Sequence, residues 1–110
     1  MGKETEDLQE LKSFIGEHPA VLLYFYNNSC QPCKVLRPKV KEMLLSEFPE
    51  MKMVKVNTIL FPDIAVSYQV YASPTLIVLF EGKETIRRSQ YISLSELSAD
   101  IGRVYHLLFD

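Results

Sequence analysis

Both cysteines of the chain, Cys30 and Cys33, lie in the stretch Tyr-Phe-Tyr-Asn-Asn-Ser-Cys-Gln-Pro-Cys-Lys at 24–34. Their surroundings point to sulfur chemistry. The run 21–26 is apolar, with β-branched and aromatic residues, and predicts a buried strand. Asn27, Asn28 and Ser29 break that run. Beyond Cys30 the apolar residues Val35, Leu36, Val40, Met43, Leu44 and Phe48 recur at helical spacing, so Cys30 is expected where a helix begins. Pro32 fits the first helical turn, where its fixed φ is suitable and its missing N–H has no partner to lose.

The position matters because the thiolate is the nucleophile, and a free thiol with a pKa of about 8.5 is only a few per cent ionised at neutral pH. Unpaired N–H groups and the macrodipole at a helix N-terminus favour an anion by roughly 0.3 to 1 kcal/mol when exposed, and up to about 2 when partly buried. At 1.36 kcal/mol per unit, that lowers a pKa by a few tenths to about one and a half. Cys33 lies one turn deeper on the same face. Its sulfur is placed to attack a mixed disulfide formed at Cys30, closing an internal disulfide and releasing the partner.

Around this pair the chain reads as one α/β domain, 1–110. At 110 residues it can bury roughly two thirds of the surface its unfolded form exposes, so no disulfide staple is required. Its apolar share of 47% and charged share of 24% exclude a disordered chain. A formal charge of -2, with no long basic run, gives no electrostatic case for nucleic acid or an anionic membrane. No apolar run approaches the roughly 18 residues of a membrane span. Met1-Gly2 opens like a myristoylation signal, but Glu6 stands where that signal needs a hydroxyl residue. Two cysteines this close cannot staple a fold, so a reducing, cytoplasmic setting is expected, although a removed export signal would leave no trace. Nothing favours a dimer, and a monomer is expected.

In order, the chain shows a polar tail, then a short helix with Leu8, Leu11, Phe14 and Ile15 on its apolar face after a Thr5 cap. The strand 21–26 and a helix 31–46 follow, the helix interrupted by Pro38, where a kink is expected. A second strand at 51–57 should run parallel to the first through a right-handed crossover. A weaker helix at 62–68 leads to a turn at 71–74. The apolar strand 75–80 and a strand 84–88 are joined at Glu81-Gly82-Lys83 as a hairpin. Ser93-Leu94-Ser95-Glu96 matches a capping box for a last helix, whose stripe is Leu94, Leu97, Ile101, Val104, Tyr105 and Leu108.

This order, with Cys-x-x-Cys at a strand-to-helix junction, resembles the thioredoxin family over nearly the whole chain. Lys34 after the second cysteine, Pro38 within the helix, Lys55 and Asn57 in the second strand, Pro74-Thr75 before the third and Gly82 in the hairpin carry the resemblance further. It implies a four-stranded mixed sheet flanked by four helices. It also implies a thiol–disulfide oxidoreductase acting on protein disulfides, with Cys30 and Cys33 catalytic. Such a protein needs no bound cofactor and receives its electrons from a separate reductase. By the same resemblance Ser73-Pro74 is a cis bond facing the disulfide, and Ser73 offers its backbone to an extended partner chain. Gln31, Pro32, Gln90 and Tyr91 join the substrate surface, and Lys34, Lys55 and Tyr24 support the thiols. Three positions depart from the family pattern: Ser29 replaces a tryptophan, Tyr24 replaces a buried acid, and Ser89-Gln90-Tyr91 replaces a glycine-containing loop.

Plainer readings stand beside these. Zinc normally takes four ligands, and His18 and His106 are isolated, so no metal is expected. The cysteines could be packing residues, though a proline between them at a helix start exceeds what packing asks. Lys55 in a strand is most simply a surface residue, and the lysines and arginine at 34–41 a solvated face. The tyrosines are most simply core or rim, with Tyr71 and Tyr91 able to line a groove. A binding module with vestigial redox activity, encouraged by Tyr24, Ser29 and Gln90, is the alternative to an enzyme. An oxidase or isomerase would use the same residues in reverse, depending on redox poise.

Overall fold

The run at 20–26 is fully buried but for its last residue, and the rest of the molecule is layered on it. In the computed structural model, which describes residues 2–110, the chain forms β1 (Gly2–Glu4), α1 (Leu8–Glu17), β2 (Ala20–Tyr26), α2 (Gln31–Glu47) and β3 (Lys52–Asn57). These are followed by α3 (Pro62–Ser67), β4 (Thr75–Phe80), β5 (Lys83–Ser89) and α4 (Leu94–Phe109). The sheet order is β1-β3-β2-β4-β5. β1 and β2 each lie parallel to β3, while β4 runs antiparallel to both β2 and β5.

Period-two alternation along the strands divides the core between two faces. Leu22, Tyr24, Leu76 and Val78 pack with Val40 and Leu44 of α2 and with Leu97, Ile101 and Tyr105 of α4. Val21, Leu23, Phe25, Ile77 and Leu79 face the other way, against Leu11 and Ile15 of α1 and Ile64 of α3. Because β2 and β4 have helices on both sides, their sequences run continuously apolar instead of alternating with polar residues.

The sheet has five strands, not the expected four. Residues 2–4 pair along β3, and the Thr5 N–H extends the pairing by donating to the Lys55 carbonyl at 3.0 Å. Three residues show no legible period. Met1, the first residue of the expected tail, lies outside the described residues. Thr5 is likewise no helix cap, since it is buried and its hydroxyl donates to the Asp7 carbonyl. Asp7 caps α1, its carboxylate accepting from the Gln9 N–H at 3.0 Å.

α2 continues through Pro38 for 17 residues. The stripe of α4 is buried at Leu97, Ile101 and Tyr105 and continues to Phe109, which lies 4.6 Å from the Tyr105 ring. Leu108, expected on that stripe, is 40% exposed. Its place is taken by Phe109, four residues on from Tyr105 and so on the same face. Ser93 caps α4 by accepting from the Glu96 N–H.

The β4–β5 link is a two-residue turn, with Lys83 already paired to Phe80. Glu81 and Gly82 both have left-handed φ, 53° and 79°, as a type I′ hairpin requires. A Cβ at Gly82 would meet nothing within 4 Å, so substitution there tests backbone conformation alone. Gly82→Ala should cost about 1 kcal/mol. The measurement is urea unfolding, with the midpoint lowered and the slope unchanged.

Candidate active site

The antiparallel register sets Phe25 opposite Thr75, so the loop leaving β2 and the loop entering β4 meet at one end of the sheet. The first carries the cysteines and the second Ser73-Pro74. After β2, the Asn27 carbonyl accepts from the Cys30 N–H at 3.3 Å, and the Asn27 side chain accepts from the Ser29 N–H at 2.9 Å. This local bonding turns the chain into α2.

Cys30 occupies the N-cap of α2 in extended conformation, with Pro32 in the first turn. Its Sγ accepts from the Cys33 N–H at 3.2 Å, the position a serine or aspartate oxygen holds in an ordinary cap. Cys30 and Cys33 are joined as a disulfide, their Cα atoms 5.3 Å apart. The two sulfurs are not equivalent. Cys33 is 2% exposed and belongs to the core, whereas Cys30 is half-buried.

The Ser73-Pro74 peptide is cis. Pro74 is buried and Ser73 half-buried. The Thr75 hydroxyl donates to the Ala72 carbonyl at 2.7 Å, and the Gln90 N–H to the Pro74 carbonyl at 2.8 Å, which anchors the turn from both sides. Between this turn and Cys30 lies an open groove of about 560 Å³, lined by Cys30, Ser73, Tyr71, Ile59 and Val66 among others.

The structure therefore brings Cys30 and Ser73 to one groove. Gln31 and Pro32 are exposed on the first turn of α2 without lining it. Gln90, which has a left-handed φ of 64°, and Tyr91, 99% exposed, lie beyond the Pro74 side and do not line it either. Tyr71 lines it and is 80% exposed. Lys34 is exposed in the first turn of α2. Lys55 pairs with Glu4 at 3.5 Å, and Glu4 also accepts from the Tyr26 hydroxyl at 2.6 Å, so the lysine's charge is partnered by the added strand β1.

Sequence reasoning missed Ile59 and Val66, 71% and 61% exposed in the groove, because both types read as core. Val66 did carry a signal. Two residues past buried Ile64, it falls on the far side of α3. Among the described residues no group of three or more histidines, cysteines or acids could hold a metal. His18 bonds to the Phe14 carbonyl and His106 pairs with Asp110. No helix among the described residues is long and apolar enough to cross a membrane.

Tyr24, fully buried under the cysteine turn, donates its hydroxyl to the Cys33 carbonyl at 2.7 Å. Burial pushes its pKa up to about 12, partly offset by the nearby positive charge of Arg37. Tyr26 rises to about 12 as well, through burial and then its bond to Glu4. A group whose folded pKa lies above its unfolded value stabilises the fold below the unfolded value and loses that contribution as pH rises through the folded one. Stability should thus hold to about pH 10 and fall steeply toward pH 12, and Tyr24→Phe should flatten that fall. Denaturant midpoints across this range provide the check.

The Thioredoxin family matches residues 3–103. The chain is 25% identical to the thioredoxin-like protein YdfQ of Bacillus subtilis over 91% of its own length and 88% of that protein. It is 30% identical to a thioredoxin of Mycoplasmoides gallisepticum over 86% of its length and 94% of that protein. Mitochondrial thioredoxin 3 of Saccharomyces cerevisiae, in its oxidized form, superposes with a TM-score of 0.81 at 24% identity, covering 92% of this chain and 93% of that one. The chain belongs to the thioredoxin family, whose chemistry rests on a redox-active disulfide and needs no cofactor.

Proposed function

We propose that the protein reduces disulfides in other proteins, with Cys30 as attacking and Cys33 as resolving sulfur. The observation that carries this reading is the asymmetry of the pair: one sulfur opens on a groove at a helix N-terminus, and the other is sealed in the core beside it. In the dithiol form, the Cys33 N–H that now bonds to Cys30 Sγ and the positive end of the helix dipole favour a thiolate at Cys30.

The thiolate attacks one sulfur of the target disulfide, whose other sulfur leaves as a thiolate. Cys33 then attacks Cys30, the bond to the partner breaks, and the partner's second sulfur departs. Two electrons have passed to the target. The internal disulfide returns to the dithiol at the expense of a separate reductase.

The extended target chain lies along the groove, its backbone paired with that of Ser73 and its apolar side chains against Tyr71, Ile59 and Val66. Pro74 shapes that turn. Gln31, Pro32, Gln90 and Tyr91 form the outer rim that a folded target meets.

Reduction of a protein disulfide by the two single serine variants tests this. Cys30→Ser should lose turnover to background, and Cys33→Ser should accumulate a mixed disulfide with the target, seen as an adduct by mass spectrometry and released by dithiothreitol. Retained turnover in Cys30→Ser, or no adduct on Cys33→Ser, would reject the assignment.

A further inference from the structure

We propose that Tyr24 is a positioning residue for the resolving step: its hydroxyl, acting through the Cys33 carbonyl, holds the Cys33 sulfur against Cys30 without taking that sulfur's proton. This rests on the function proposed above.

Tyr24 lies in β2, hydrogen-bonded to a neighbouring strand on each side, opposite Lys55 of β3 and Leu76 of β4. Its position is therefore set by the sheet. Its hydroxyl reaches the carbonyl of Cys33 itself, at 2.7 Å, with both groups buried. A neutral hydroxyl bond with no water competing for either partner holds the first turn of α2 to the strand beneath.

The tie matters because Pro38 sits inside α2 and has no N–H to offer the Lys34 carbonyl. The turn bearing the cysteines is less firmly bonded to the rest of its helix than an uninterrupted one. Fixing the Cys33 backbone from the sheet side restores the constraint at the residue whose sulfur must travel least and aim best.

The same bond excludes proton transfer. The hydroxyl's one proton is committed to a carbonyl, and only a phenolate could act as a base. The charged groups nearby offer no base for that proton. Arg37 of α2 is cationic, Glu4 of β1 is held by Lys55 of β3 and by the Tyr26 hydroxyl. When Cys33 attacks Cys30, the Cys30–partner bond breaks, its electron pair leaves on the partner's sulfur, and the Cys33 proton passes to water or to that departing thiolate.

The test mixes dithiol protein with 5,5′-dithiobis(2-nitrobenzoate) in a stopped-flow instrument. Attack by Cys30 releases one thionitrobenzoate, and resolution by Cys33 releases the second. Tyr24→Phe should leave the first phase unchanged and slow the second about tenfold at every pH. The second phase should show a single thiol ionisation in both proteins. Tyr24→Asp should add an ionisation in the carboxyl range, since a carboxylate there can accept the proton.

A wild type that releases only one thionitrobenzoate overturns the proposed function and this inference with it. Two releases with an unchanged second phase in Tyr24→Phe overturn this inference alone. So does loss of an ionisation in Tyr24→Phe, which would make the phenol a base. Should Tyr24→Phe fail to fold, Tyr24→Met, an adaptable side chain without the hydroxyl, serves the same comparison. A carboxyl-range ionisation in the wild-type second phase overturns the inference without any variant.

Discussion

The antiparallel pairing of β2 with β4 is the constraint on which the site depends. It sets Phe25 across from Thr75, and so makes the exit of one strand and the entrance of the other neighbours in space, though about 50 residues separate them along the chain. Neither loop is a site by itself. The first turns a cysteine onto a helix, and the second, through a cis bond, sets Ser73 on the same groove. Ladder hydrogen bonds and two buried faces fix the strands beneath, so the loops inherit rigid footings.

On this footing the two sulfurs acquire different environments from a difference of three residues. Cys30 is the cap, with a backbone N–H directed at its sulfur, and Cys33 is part of the core. One turn of helix suffices to carry a side chain from groove to interior while keeping the pair within bonding reach. Buried Tyr24 below them supplies a neutral hydrogen bond where the family resemblance implies an acid. The site thus keeps the family's sulfur geometry but changes what lies under it.

Much of this was legible in the residues. The apolar run into β2, the capping box at Ser93 and the glycine of the hairpin each express a strong local preference that the tertiary structure reinforces. What was not legible depended on contacts made across the fold. Three residues at 2–4 become a strand only because β3 has an unpaired edge to receive them, and Thr5 is drawn into the core by that pairing instead of capping a helix. Lys55 could be placed on a strand but not paired, since its partner Glu4 belongs to that unforeseen strand. Ile59 and Val66 are apolar residues exposed at the groove, and type alone assigns such residues to the interior.

β1 also determines which parts of the sheet a visiting chain can approach. With three residues it covers part of the flank of β3, and it is too short to template a further partner along its own length. At the opposite flank, β5 presents Lys83, Glu84, Arg87 and Arg88, charges that discourage another strand from joining. Both margins of the sheet, one short and one charged, are thereby poor templates for pairing with a further strand, a consequence of how the chain ends its sheet and not of the sulfur site.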